Sequence, residues 1–551
     1  MIKFIKKNIY LSIFILTIIL SIILRFYQLG TNPISLDWDE ASTGYNAYSI
    51  LKTGKDEYGN KMPLTFRSFD DYKPPVYIYL TVPSVAIFGL NEFAVRLPAA
   101  VIGVVAVAAV YFFTLEILQN WDKKNRQYIA LCASFFLAIS PWHLQFSRAA
   151  FEGNIGICFL IIALLFFFKG LKRGWYLYLF AIFFIISLYS YHSFLLINPI
   201  LLISLVGLFY KDLWKQKIAI GLALGLILLG SVPIYSSFIH TEGTSARFSM
   251  VTVFSDAAIQ KQSADQLIKA KENHDILGQV LYNRRIIFIP VIVSGYLAHF
   301  NFDFLFLHGD SGVQHHSYNM GMLYLFDFPF ILIGLVYLFK KRDRRIFALL
   351  ILFLLAPLPG AIATGAPHPV RAIAMIPAFQ IFSAIGLVTS IIFLLKNKQI
   401  GKVLIAILLF SLIYNFTYYL HSYYIETPIK YGYFWQYGNK EAIIYAKQHE
   451  KEYDHIFMSY SYDQPYIYYL FYNKIDPSWY HKNWNYSGKG TVDRFYRRIG
   501  KYEFVNITDK QLIKRKSLII GTPDEVSGKE SILKKEIKFP DGRIAYKIIS
   551  L

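Results

Sequence analysis

Apolar residues run along this chain in long unbroken blocks rather than at the two-residue spacing of a half-buried strand or on one stripe of an amphipathic helix. Eleven blocks, near 8–28, 94–118, 128–146, 154–169, 175–191, 194–210, 218–238, 322–339, 346–364, 372–395 and 403–421, carry few or no charges. A helix rises about 1.5 Å per residue, so about 20 apolar residues cross a hydrocarbon layer of about 30 Å. Each block is therefore predicted to be a spanning helix. Two further blocks, near 75–90 and 286–302, are shorter or interrupted.

Positive charge orients these helices. Lys3, Lys6 and Lys7 open the chain, and basic clusters follow at 123–126, 169–173, 211–217, 340–345 and 396–402. Short cytoplasmic loops collect Lys and Arg. Eleven spans with the N-terminus in the cytoplasm put every cluster on that side, so 75–90 and 286–302 are expected to lie in the interface or fold back into it. The expected fold is an α-helical polytopic membrane protein with about eleven transmembrane helices over 1–421 and outer loops at 30–93 and 239–322. A small extracytoplasmic α/β domain follows over 422–551, where charge returns to soluble levels and His455–Ser459 and Ser517–Ile520 read as strands.

Composition agrees. Of 551 residues, 55% are hydrophobic and only 17% charged, too few to clothe a soluble protein of this size. The net charge of +20 raises nucleic acid as a partner, but the basic residues sit at block ends, where topology explains them; no nucleic-acid binding is expected. Cys132 and Cys158 both fall inside apolar blocks and make neither a disulfide framework nor a cysteine zinc site. The first apolar run is long for a signal peptide and no small-residue cleavage site follows it, so it reads as the first span.

Chemistry gathers in the outer loops. The first opens with Leu36-Asp-Trp-Asp-Glu40, and three carboxylates beside a membrane need a partner or a use. A helix N-terminus, where acids complement the dipole, is the structural alternative. The loop continues through Asp70-Asp-Tyr-Lys73-Pro-Pro75 to Asn91-Glu-Phe-Ala-Val-Arg96-Leu-Pro98, and Ser140-Pro-Trp-His143 and Phe146-Ser-Arg148-Ala-Ala-Phe-Glu152 come later. In this order, over roughly residues 10–400, the set resembles the polyprenyl-phosphate-dependent glycosyltransferases of the C superfamily, in particular the protein O-mannosyltransferase-like and aminoarabinose transferase-like group.

The resemblance implies a polyprenyl-phosphate sugar donor, an acceptor outside the cytoplasm and inversion at the anomeric carbon. Asp39 is carried over as the general base, with Glu40 orienting it or binding acceptor. Glu152 stands where relatives more often have a second aspartate. Lys73 resembles the family's phosphate-contacting lysine. Arg371 and His368, in Ala366-Pro-His-Pro-Val-Arg371, and Arg148 are further candidates for the donor phosphate, since cations stabilise a departing lipid phosphate. Snorkelling to the head groups is the plain alternative for Arg371. Arg148 equally suits a bridge to Glu152, and Arg96 is read as structural, with Glu92 as its partner.

His308, Asp310, His315 and His316 crowd the second large loop. Their density suits a divalent metal or a phosphate, although the spacing fits no closed zinc pattern and solvated loop histidines are the alternative. His192, at an outer turn, is expected to line a cavity. The expected function is a cell-membrane glycosyltransferase acting on an unidentified protein, lipid or polysaccharide acceptor. The alternative is a transporter or lipid flippase, against which stands the gathering of ionisable residues at the outer ends of spans and not at mid-membrane.

Overall fold

A computed structural model describes residues 8–69, 71–240, 252–341, 343–396, 398–485, 497–508, 511 and 514–551. Lys3, Lys6 and Lys7, on which the inward N-terminus rests, lie outside the described residues, as does 241–251 of the second large loop.

Among the described residues nine helices are long and apolar enough to cross a membrane: Ile9–Phe26, Glu92–Ile117, Glu152–Gly170, His192–Trp214, Lys217–Ser237, Phe288–Leu307, Arg344–Ile362, Ile373–Leu394 and Gln399–Tyr431. Eight of these fall on the expected blocks. The other three blocks form shorter helices, Lys123–Ile139, Tyr176–Leu188 and Asp327–Lys341. The first stops at Ser140 because Pro141 disfavours helical backbone in the residue before it; the chain resumes as the short helix Pro141–Phe146. The second stops at Tyr189, and Tyr191 is extended before His192 starts the next helix. The 286–302 block differs from its interfacial expectation: Phe288–Ala298 runs on towards a π-turn, Asp303–Leu307, which brings the stretch to spanning length. The 75–90 block forms Val76–Phe88, 13 residues and well short of a span.

The chain falls into two compact units. The first comprises 1–24, 103–146 and 153–419 and is a helical bundle. Small residues set its closest contact. A Cβ on Gly334 would lie 2.1 Å from the Phe382 carbonyl oxygen, and one on Gly386 1.9 Å from that of Phe330, so Asp327–Lys341 and Ile376–Leu394 meet backbone to backbone.

The second unit assembles 25–102, 147–152 and 420–551. The first loop holds a small antiparallel pair, β1 (Phe66–Ser68) and β2 (Asp71–Lys73). The tail forms a seven-stranded sheet from β3 (His455–Ser459), β4 (Trp484–Asn485), β5 (Arg497–Ile499), β6 (Tyr502–Val505), β7 (Ser517–Gly521), β8 (Leu533–Lys538) and β9 (Ile544–Ser550), in the order β4-β5-β6-β3-β7-β9-β8. The central β6-β3-β7 run is parallel and the flanking strands are antiparallel. Burial follows position. Every residue of β7 is buried, as parallel strands covered on both faces require, while edge strand β8 exposes Lys534, Lys535 and Lys538. One face packs Phe457, Val505, Ile519 and Ile549. The other packs Ile456, Met458, Leu518 and Ile548 against the helix Pro465–Tyr472, and that core continues without a break into Leu36, Ala41, Tyr45 and Val95 of the first loop and the helix after it.

Candidate functional site

The acidic triplet begins a helix, Trp38–Thr53, in the second unit. Asp37 is its N-cap: its carboxylate accepts from the Glu40 amide at 2.7 Å, and Glu40 reaches back to the Asp37 amide at 3.4 Å. This reciprocal cap satisfies two of the amides that every helix start leaves open. Burial pushes the Asp37 carboxyl well above the usual range, and the neighbouring Glu40 and Asp39 charges push it further.

The cap sends Glu40 inward and Asp39 outward. Glu40 is held in a bidentate pair with Arg96, at 2.9 Å from Nε and 2.8 Å from Nη2, and accepts the Ala150 amide at 3.0 Å. Arg96, fully buried, also donates to the carbonyls of Leu29, Pro33 and Ser35. Its expected neighbour Glu92 pairs instead with Lys440 at 2.6 Å.

Asp39 keeps a side chain 47% exposed and meets the Lys73 ammonium at 2.8 Å. Lys73 ends β2, opposite Phe66, and is buried. Glu152 lies 3.7 Å from the same ammonium. Burial alone would lower the Lys73 pKa; Asp39 and then Glu152 outweigh it and hold the lysine above its ordinary value. Three residues separated by 113 positions, Asp39, Lys73 and Glu152, thus form one triad of two carboxylates around a buried cation.

Arg148 is fully buried nearby in sequence, and its guanidinium donates to the carbonyls of Tyr27 and Asn32 and to the Tyr423 hydroxyl. Two residues with no sequence signal also touch the helix start. Gln436 Oε1 accepts the Trp38 amide at 3.1 Å, and the Tyr468 hydroxyl lies 2.8 Å from that oxygen and 3.1 Å from the Leu36 carbonyl. Neither residue type nor spacing marks a glutamine 398 positions away as a partner of this loop.

The histidine-rich residues belong to the first unit. His315 Nδ1 meets the buried Asp310 carboxylate at 2.7 Å, while His316 Nε2 contacts the Asp310 carbonyl at 3.0 Å. The His315 and His368 rings lie 4.9 Å apart. The His368 amide donates to His299 Nε2, a residue the sequence reading did not single out. Burial, followed by His315 and Arg371, holds His368 well below the usual imidazole range, so its ring is neutral near pH 7. Arg371 donates to the Thr364 carbonyl at 3.1 Å. His308 stands apart with Asp303 on the surface, at 2.5 Å, and His192 begins the helix that follows Tyr191. Among the described residues no group of three or more His, Cys, Asp or Glu side chains is arranged to hold a metal ion.

Apolar helices of spanning length, a first loop folded around paired carboxylates and a small C-terminal sheet make up a fold that the chain shares with solved structures, and the resemblance read from the sequence agrees with the matches that follow. Residues 72–236 match the family model described as Dolichyl-phosphate-mannose-protein mannosyltransferase. Over 115 residues the chain is 31% identical to the Bacillus subtilis (strain 168) protein named "Putative mannosyltransferase YkcB", a stretch that covers 21% of this chain and only 15% of that protein's length. ArnT from Cupriavidus metallidurans superposes over 97% of both chains at 12% identity, with a TM-score of 0.53 in the apo state and 0.54 bound to undecaprenyl phosphate. The Archaeoglobus fulgidus oligosaccharyltransferase in complex with Zn and sulfate gives 0.51 at 14% identity, over 84% of this chain and 61% of that one.

Proposed function

We propose that this chain is a membrane glycosyltransferase that moves a sugar from a polyprenyl-phosphate-linked donor to an acceptor hydroxyl on the extracytoplasmic face, with inversion and with Asp39 as general base. The family match over 72–236 and the shared fold support the class. The observation that carries the mechanism is the half-exposed Asp39 carboxylate held 2.8 Å from a buried ammonium, with a second carboxylate, Glu152, 3.7 Å from the same ammonium.

In the proposed step the acceptor oxygen attacks the anomeric carbon as Asp39 takes its proton. The bond from that carbon to the phosphate oxygen breaks, and its electron pair leaves with the lipid phosphate. A hydroxyl is a weak nucleophile near neutral pH, and a positioned base contributes about 10²- to 10⁴-fold. Lys73, whose cation is held out of bulk water, faces the charge that builds on the leaving group. Arg148, whose donors reach backbone carbonyls, is assigned to holding the loop.

Purified protein is expected to release sugar from synthetic polyprenyl-phosphate sugars when an acceptor is supplied, and Asp39→Asn is expected to slow release by at least about 100-fold. Equal release by both proteins would remove Asp39 from the role. An inactive wild type, supplied with a full set of donors and acceptors, would favour the transporter reading.

A further inference from the structure

Trp38 is the first residue of its helix, so its amide is one of those that helix geometry leaves without an internal partner. Capping normally comes from the residues just before the helix, and here Asp37 already caps the Glu40 amide. The Trp38 amide is instead taken by Gln436, which lies at the far end of the chain in the same compact unit. Gln436 has no freedom to do anything else. It is 5% exposed and its backbone sits at φ +48°, the left-handed region that a glutamine enters only under constraint. Its amide donates to the Tyr433 carbonyl, and its carbonyl accepts from the Asn439 side chain. Asn439 in turn accepts the hydroxyl of Tyr546, which lies in β9. Tyr468, fully buried, presents its hydroxyl to both Gln436 Oε1 and the Leu36 carbonyl. The backbone on either side of Asp37 is thus gripped at Leu36 and Trp38 by two side chains anchored in the sheet domain.

Satisfying a buried amide requires one acceptor of any kind, and a water would serve. A strained glutamine, backed by a tyrosine that also holds the residue two before Trp38, fixes position as well as hydrogen bonding. We infer that Gln436 and Tyr468 are positioning residues: they set the backbone that presents Asp39 to Lys73, and through them the C-terminal sheet domain governs the turnover step. This rests on the reading of Asp39 as the base.

The test uses the full-length protein in lipid nanodiscs, comparing wild type, Gln436→Met, Tyr468→Phe and Asp39→Asn. Turnover of a synthetic polyprenyl-phosphate sugar and amide hydrogen exchange of the peptide covering 36–45 are both measured. In Gln436→Met, kcat is expected to fall about tenfold with the donor KM within twofold, and the 36–45 peptide to exchange several-fold faster. Tyr468→Phe, which removes only a hydroxyl, should show the same signs at smaller size. Unchanged exchange and kcat in Gln436→Met, with Asp39→Asn inactive, would overturn the positioning role alone. Faster exchange throughout the sheet domain as well, with kcat and KM worsening together, would reduce the contact to general stability and overturn it too. Full turnover in Asp39→Asn would remove the base, and the proposal would fall with it.

Discussion

Arg96 and Glu40 show how a buried pair differs from a surface one. An exposed pair at the same distance contributes about 0–1 kcal/mol, whereas removing one member of a buried pair strands the other and costs about 3–5 kcal/mol. Arg96→Met is therefore expected to lower unfolding stability by about that amount, read by thermal or chaotrope unfolding in detergent, and Arg96→Lys should not restore it because a lysine has no planar fork to reach Glu40 and three carbonyls together. Sequence spacing pointed to Glu92, one helical turn away and a natural partner on an isolated helix. A fully buried guanidinium needs more acceptors than one surface carboxylate offers, and only the folded loop supplies them. Asp37 carries a pH signature. Its folded pKa lies above the unfolded value, so as pH rises from about 4 the unfolded chain releases a proton that the folded one retains, and stability falls through that window. Asn caps about as well as Asp. Asp37→Asn should thus melt close to the parent at pH 4 and above it at pH 7.5; the same gap at both pH values would count against burial as the cause.

Helices were the most legible elements, because the transfer of apolar side chains into lipid is written directly in hydropathy. Their ends were less so: hydropathy ran through Ser140-Pro141 without a pause, while backbone sterics ended the helix there. The cap was readable in principle, since Asp37 and Glu40 stand three apart ahead of a helix. How that helix packs was not, because contact between Trp38–Thr53 and Pro465–Tyr472 depends on a residue with no side chain. A Cβ on Gly44 would fall 2.5 Å from the Phe471 ring and 2.6 Å from Val95. Gly44→Ala gains helix propensity of about 1 kcal/mol but overpacks the junction, at a cost of about 1–3 kcal/mol. A net loss of stability is expected, and Gly44→Ala with Phe471→Leu should recover part of it; a stabilised single variant would mean the two helices are free to separate.

At the scale of the whole molecule, the family-like motifs picked out Asp39, Lys73 and Glu152 before geometry joined them. What no local pattern conveyed is that the first loop and the tail share one continuous core, from Leu36 and Tyr45 through Tyr468 to Ile548. Removing residues 422–551 should therefore leave the loop without its packing partner; limited proteolysis is expected to cut within 36–90 in the truncated protein and to spare it in the intact one. The same feature has a consequence in time. Loop and tail are separated by more than three hundred residues of chain, so at a synthesis rate of about 5–20 residues per second the loop leaves the ribosome tens of seconds before its partner exists. During that interval the apolar side of the loop has no cover, and a chain cut short by stalling or proteolysis never gains it.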